Sequence, residues 1–170
     1  GFLRTISLTL NIEELSLQES NHFWDNQERI SAYEKFKILS VVGGVPKYLE
    51  EIQTFLPAEE NIKNLCFDSS GLLFNEFDQI FTDIFSKRSE AYKRIVQSIA
   101  DNHFQYEDIC KKLNIEKSGF LSNCLDELVK SGFIRRDYTW DLKNGKTSKL
   151  SQYRISDNYL RFYLKYLSPN

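Results

Sequence analysis

The sequence predicts a mainly α protein that closes with a winged helix-turn-helix carrying one small β hairpin. Three observations lead there. Apolar residues recur at helical spacing in segments between Ser16 and Ser131. An Asn144-Gly145 pair lies between two strand-like runs that follow three of those helices, a strong hairpin signal. The charge also changes sign along the chain: residues 1–85 hold 6 Lys+Arg against 14 Asp+Glu, and residues 86–170 hold 16 against 10. A net of −8 followed by one of +6 predicts two parts with different partners, the basic half being the nucleic-acid candidate.

The elements follow in order. Ile6, Leu8 and Leu10 alternate with Ser7 and Thr9, the period-2 pattern of a half-buried strand. The next strand-like run lies beyond residue 132, so this strand needs a sheet from elsewhere, and the expectation is a truncated α/β domain ahead of it. Ser16 to Trp24 reads as a short helix with Ser16 as N-cap and Glu19 completing a capping box. Residues 28–42 form a second helix, apolar on more than one side through Ile30, Tyr33, Phe36, Leu39 and Val41. Gly43-Gly44 stops it, and Pro46 opens a third helix near its first turn. From Gly71 to Phe85, Leu73, Phe77, Ile80 and Ile84 form one apolar stripe, read as core or interface.

Beyond residue 86, Ser89–Ala100 is helical with Ile95 and Ile99 on one face, and Tyr106–Leu113 is a short second helix. A third helix over about 117–131 turns Leu121, Leu125, Leu128 and Val129 inward, and Gly132 ends it. Strand-like runs over Phe133–Leu142 and Leu150–Ser156 flank the Asn-Gly turn. The tail from Asp157 to Leu167 is helical and apolar nearly all round, so it must be buried against something; at the end of the chain, the expected partner is structure beyond it.

Composition excludes several classes. No apolar run approaches the ~20 residues of a membrane span, and no signal peptide opens the chain. The three cysteines, Cys66, Cys110 and Cys124, form no C-x-x-C pair and have no histidine cluster, so they read as small buried apolar residues of a cytoplasmic protein. His22 and His103 have no second ligand at metal spacing. Glu13-Glu14, Glu50-Glu51 and Glu59-Glu60 are sequence neighbours that point different ways on a helix, hence solvated faces rather than catalytic pairs. A chain without methionine that starts at Gly1 reads as an excised segment.

Two blocks about a hundred residues apart carry a resemblance. One runs from Val41 through Gly43-Gly44-Val45-Pro46-Lys47-Tyr48 to Glu50, the other from Tyr153 through Ser156-Asp157-Asn158-Tyr159 to Phe162. With a winged helix between them, they resemble the archaeal-type ATPases of the AAA+ superfamily over nearly the whole chain. The resemblance implies a helical lid bundle followed by a winged helix-turn-helix with a small β hairpin. It implies a leftover strand of the ATPase core at 1–12, the lid at 13–70 and a connector helix at 71–86. The winged helix then takes 87–156, and a truncated C-terminal region starts at 157–170. Gly43, Gly44 and Pro46 become the nucleotide-binding positions, over the adenine. Glycines let backbone approach a flat base, and proline fixes the loop; the rival reading is a plain helical corner with a Gly stop and a Pro start.

The family's phosphate loop GxxxxGK[ST] is absent. Gly145-Lys146-Thr147 falls in a hairpin turn, and the first glycine of that motif would fall on Trp140. ATP and Mg are therefore expected in the parent protein and not on this segment, which has no catalytic residue of its own. The expected partners are duplex DNA, the missing ATPase core and, as an option, further copies of the chain, with no membrane. In a winged helix the third helix enters the major groove and its first residues meet base edges. Lys117, Ser118, Ser122 and Asn123 are the outward positions there, with Arg135, Arg136, Lys143, Lys146 and Lys149 around the wing meeting phosphates. The expected function is a lid coupled to a DNA-binding winged helix. Its rivals are a free-standing regulator dimerising through residues 1–85, and a protein-interaction winged helix that does not bind DNA.

Overall fold

The computed structural model describes residues 13–24 and 30–168; the strand expected at Ile6–Leu10 and the first residues of the helix expected from 28 lie outside them. Helix α1 (Leu17–Asn21) starts at Ser16. The Glu19 amide donates to Ser16 Oγ at 3.3 Å, and the Ser16 amide donates to the Glu19 carboxylate at 2.8 Å, closing the capping box. One 3₁₀ turn then carries Trp24 into the core.

Helix α2 (Ala32–Val42), capped by Ser31, buries Ile38, Leu39, Val41 and Val42. Tyr33 and Phe36, expected on an apolar face, point outward instead. Lys37 lies 4.8 Å over the Tyr33 ring, covering part of it with its stem. Gly43 ends the helix at φ +64°, and Pro46 opens α3 (Pro46–Glu50). Helix α4 (Ala58–Cys66) was not expected; its signal is the i, i+3, i+7 spacing of Ala58, Asn61 and Leu65, where a buried asparagine breaks the apolar pattern. The Asn61 amide donates to the carbonyls of Gln53, Leu56 and Pro57 and accepts from the Gln53 amide, pinning the loop ahead of the helix.

Helix α5 spans Glu76–Phe85, because residues 71–75 form a turn rather than its first coil. The buried stripe of the helix is consequently Phe77, Phe81 and Phe85; Leu73 is buried ahead of it and Ile80 packs half-buried on the core as expected, while Ile84 is 53% exposed, a correction to the expected stripe. These rings reach in three directions: Phe77 stacks on Tyr163 at 4.3 Å, Phe81 meets Phe133 at 5.3 Å, and Phe85 stacks on Tyr92 at 3.8 Å.

Next come α6 (Ser89–Ser98), α7 (Tyr106–Leu113), α8 (Gly119–Lys130) and the antiparallel pair β1 (Ile134–Asp141) and β2 (Lys146–Ile155). Phe104 adds one residue of a third strand by exchanging both backbone hydrogen bonds with Tyr153, at 3.0 and 2.8 Å. This is a winged helix-turn-helix behind a helical bundle. Strand β2 begins at Lys146 rather than Leu150, because the loop 142–145 closes on Asp141. That residue's carbonyl accepts from the Gly145 amide, and its carboxylate accepts from the Lys143 amide and from Asn144.

Helix α9 (Asn158–Phe162) continues through a π turn to Leu167. The partner expected beyond the chain is within it: Tyr159, Leu160 and Leu164 are buried, and Asn158 Nδ2 donates to the Leu39 carbonyl of α2 at 3.0 Å. A sequence pattern shows that such a helix needs covering, but not which element covers it. All three cysteines are buried, and burial pushes the Cys66 thiol up to about 12. Among the described residues no helix is long and apolar enough to cross a membrane.

Candidate nucleic-acid interface and the Gly-Gly-Val-Pro turn

The turn is built around its own chain. The Gly44 amide donates to Glu14 Oε2 at 3.0 Å, and the Gly44 carbonyl accepts from the Leu15 amide at 2.9 Å. A Cβ on Gly44 would lie 2.0 Å from the Leu15 carbonyl oxygen, and one on Gly43 would lie 2.5 Å from Glu14 Oε2. Gly43 donates to Leu39 O at 3.0 Å, and Pro46 has no amide proton. Gly43 and Gly44 are buried with both their amides engaged inside the protein, and Pro46 is the exposed residue of the three. The two glycine amides are therefore not offered to a nucleotide, and the solvent-facing part of the turn is Pro46. Glu14, passed over in the sequence as part of a solvated pair, is a structural partner of the turn.

Beside the turn, a cavity of about 620 Å³ lies between Glu13-Glu14, the end of α8 and the start of β1. Lys130, Arg135 and Arg136 line it together with Glu13, Glu14 and Asp157. Asp157 caps α9, accepting from the Leu160 amide at 2.6 Å. Desolvation nevertheless pushes its carboxyl up to about 6, against the Leu160 bond and with help from the charge on Glu14; Arg161 opposes. A folded-state value above the ordinary 3.8 means that the protonated form is the one the fold favours. That contribution is present in full below about pH 4 and is lost as pH rises through about 6. Asp157→Asn keeps the cap without the charge. The variant should therefore be more stable at pH 7.5 by about 3 kcal/mol, and its melting temperature should lose the fall between pH 5 and 7. Calorimetric melting at both pH values checks this; an unchanged or lower value at pH 7.5 contradicts it.

The expected DNA-facing residues divide. Lys117 and Ser118 precede α8 instead of opening it, a correction to the helix over 117–131. Ser118 Oγ accepts from the Leu121 amide at 3.3 Å as N-cap, which leaves its hydroxyl proton as the group it can offer a base. Lys117 pairs with Glu107 at 2.7 Å, and that carboxylate raises its pKa. Tyr106 pins the same turn, accepting from the Ser118 amide and donating to its carbonyl. Ser122 and Asn123 are exposed on α8 itself, although Ser122 Oγ also lies 3.4 Å from the Ser118 carbonyl. Arg135, Lys143 and Lys146 are exposed on the hairpin; the Lys149 side chain lies outside the described set. Arg136 is half-buried, its Nε donating to Ser151 Oγ at 2.9 Å and its guanidinium lying between the Tyr138 and Tyr153 rings at 5.0 and 5.4 Å. Glu127, on the inner side of α8, accepts from Tyr92 and pairs with Arg88 at 3.1 Å; the Tyr92 hydroxyl is the first cause of its lowered pKa.

Sequence reasoning passed over the exposed rings beside these cations, Tyr138 and Trp140. The two-residue spacing of Arg136, Tyr138 and Trp140 was the signal that could have found them.

No protein-family model matches the chain, and no solved structure does. Over 137 residues, 81% of its length, the chain is 28% identical to an uncharacterized protein of Methanocaldococcus jannaschii, and it spans 30% of that relative.

Proposed function

We propose that this chain is the lid and winged-helix portion of a larger AAA+-type ATPase, and that the winged helix binds duplex DNA. The observation that carries the DNA reading is the charge of the hairpin. Residues 134–155 hold 6 Lys+Arg against 2 Asp+Glu, in a protein whose net charge is −2. Both acids are engaged locally, Asp137 by Arg154 at 2.6 Å and Asp141 by the turn it closes. The exposed cations therefore face solvent beside a helix that presents Ser122 and Asn123.

The coupling is carried by an interlock of the two motif blocks. The Tyr48 ring meets the Tyr159 ring edge-on at 6.1 Å, and Tyr48 donates to the buried Glu76 at 2.9 Å. Tyr159 donates to Leu73 O at 2.8 Å and accepts from the Phe77 amide at 3.1 Å. Movement of the Gly-Gly-Val-Pro turn would pass through these contacts, and through the phenylalanine ladder of α5, to the winged helix. Nucleotide chemistry belongs in this reading to the parent's other residues.

Fluorescence anisotropy with a labelled 20-base-pair duplex tests the DNA half. Affinity should fall steeply with salt, and Arg135→Ala with Lys146→Ala should weaken binding several-fold across unrelated sequences. The two changes should lower the salt slope by about 2, one per phosphate contact. Absence of binding at low salt, or binding indifferent to salt, rules the reading out.

A further inference from the structure

One face of the hairpin changes character along its length. Pairing sets Ile134 opposite Ile155, Arg136 opposite Tyr153 and Tyr138 opposite Ser151; the register then shifts by two residues of β2, and Trp140 lies opposite Thr147. Residues directly opposite, and residues two apart, share a face. At the base that face is core, with Ile134, Tyr153 and Ile155 all buried. Two residues further out it is Arg136 between two rings, and beyond that Tyr138 is 53% and Trp140 60% exposed. Their cross-strand partners are a serine and a threonine, too short to cover either ring. The acids Asp137 and Asp141 fall at the alternate positions of β1, on the opposite face. Arg136 donates through Nε to Ser151 Oγ, the hydrogen bond its guanidinium makes among the described residues. Leu142 and Leu150 add exposed apolar surface near the tip.

We propose that this face is a stacking shelf for the unpaired bases of a single-stranded nucleic acid. A solvent-facing series of cation, ring and ring, on a hairpin of net charge +4, has the chemistry of such a site: bases stack on the aromatic faces while arginine and lysine track the phosphates. A wholly apolar protein surface would have to desolvate the interleaved guanidinium without a partner for its charge, and an intact duplex offers no free base faces. The shelf rests on the proposed winged-helix DNA binding and shares its hairpin cations, but adds Tyr138 and Trp140, which a duplex seated on α8 does not need.

The protein carries its own reporter. Of its 2 tryptophans, Trp24 is buried and Trp140 is exposed. Titration with oligo(dT) of about 15 nucleotides should quench the Trp140 emission. In anisotropy with the labelled oligonucleotide, Tyr138→Ala with Trp140→Ala should weaken binding about tenfold or more, and Trp140→Phe should restore most of it. An oligo(rU) arm identifies the sugar: quenching by either polymer supports the shelf, and the tighter one names its source. Circular dichroism should be unchanged in these variants, since neither ring is in the core. No quenching by either polymer, or binding that survives loss of both rings, overturns the proposal. A blunt duplex measured alongside separates the two readings: duplex binding without strand binding removes the shelf and leaves the winged-helix function standing.

Discussion

Gly44→Ala should lower the melting temperature by roughly 6–12 °C, the shift that about 3 kcal/mol produces in a chain of this size. The methyl would sit 2.0 Å from the Leu15 carbonyl oxygen and 2.8 Å from the Leu15 carbonyl carbon and amide nitrogen. All three are backbone atoms, and Leu15 is tied to Gly44 by a 2.9 Å hydrogen bond, so relief requires moving the whole segment that leads into α1. Gly119→Ala is the control. It stands at the first position of α8 with nothing within 4 Å of an added Cβ, so it should leave stability unchanged or raise it by up to about 1 kcal/mol. Thermal melting of the nucleotide-free protein separates two reasons for the glycine. If Gly44 serves only the approach of a base, its alanine variant melts with the wild type. If it serves the Glu14–Leu15 segment, the variant melts lower without any ligand.

That contrast shows where sequence reading reached and where it stopped. Elements declared by local chemistry were legible: the Ser16–Glu19 capping box, the Gly43-Gly44 stop before Pro46, and the three helices with their Asn-Gly hairpin appear where they were expected. Features that depend on a distant partner were not. The stripe of α5 shifts to Phe77, Phe81 and Phe85 because the first helical residue is Glu76, and five residues of turn ahead of it break the period that ran through Leu73. The Gly-Gly turn reads as an open surface until Glu14, thirty positions earlier, is seen against it. Among the proposed site residues, Lys117 and Ser118 were placed inside α8 although the helix starts two residues later, at Gly119, because a capping serine and a helical serine look alike in a sequence. The wing aromatics alternate plainly with Arg136, yet alternation alone does not say which end of a strand leaves the core.

Tyr159→Phe is expected to destabilise the protein by about 2 kcal/mol and Tyr159→Ala by about 5 kcal/mol or more. The phenylalanine keeps the ring but strands two buried backbone groups, the Phe77 amide and the Leu73 carbonyl, which have the Tyr159 hydroxyl as partner. The alanine adds a cavity at a side chain that is 2% exposed, among the largest in the core. Since a domain's whole stability is about 5–15 kcal/mol, the alanine variant should be largely unfolded near body temperature, and the phenylalanine variant is the informative one. It sits where α9, α3 and α5 meet, so it asks whether the helical bundle and the winged helix unfold as one unit. In a Trp140→Phe background Trp24 fluorescence reports the bundle, and denaturant-dependent thiol labelling, read at Cys124 by peptide mass, reports the winged helix. With the interlock acting as the rigid link, Tyr159→Phe moves both midpoints together. If the Trp24 transition shifts and Cys124 protection stays put, the two halves are held by something weaker than the tyrosine pair, and a motion begun at the Gly-Gly-Val-Pro turn would dissipate before it reached α8.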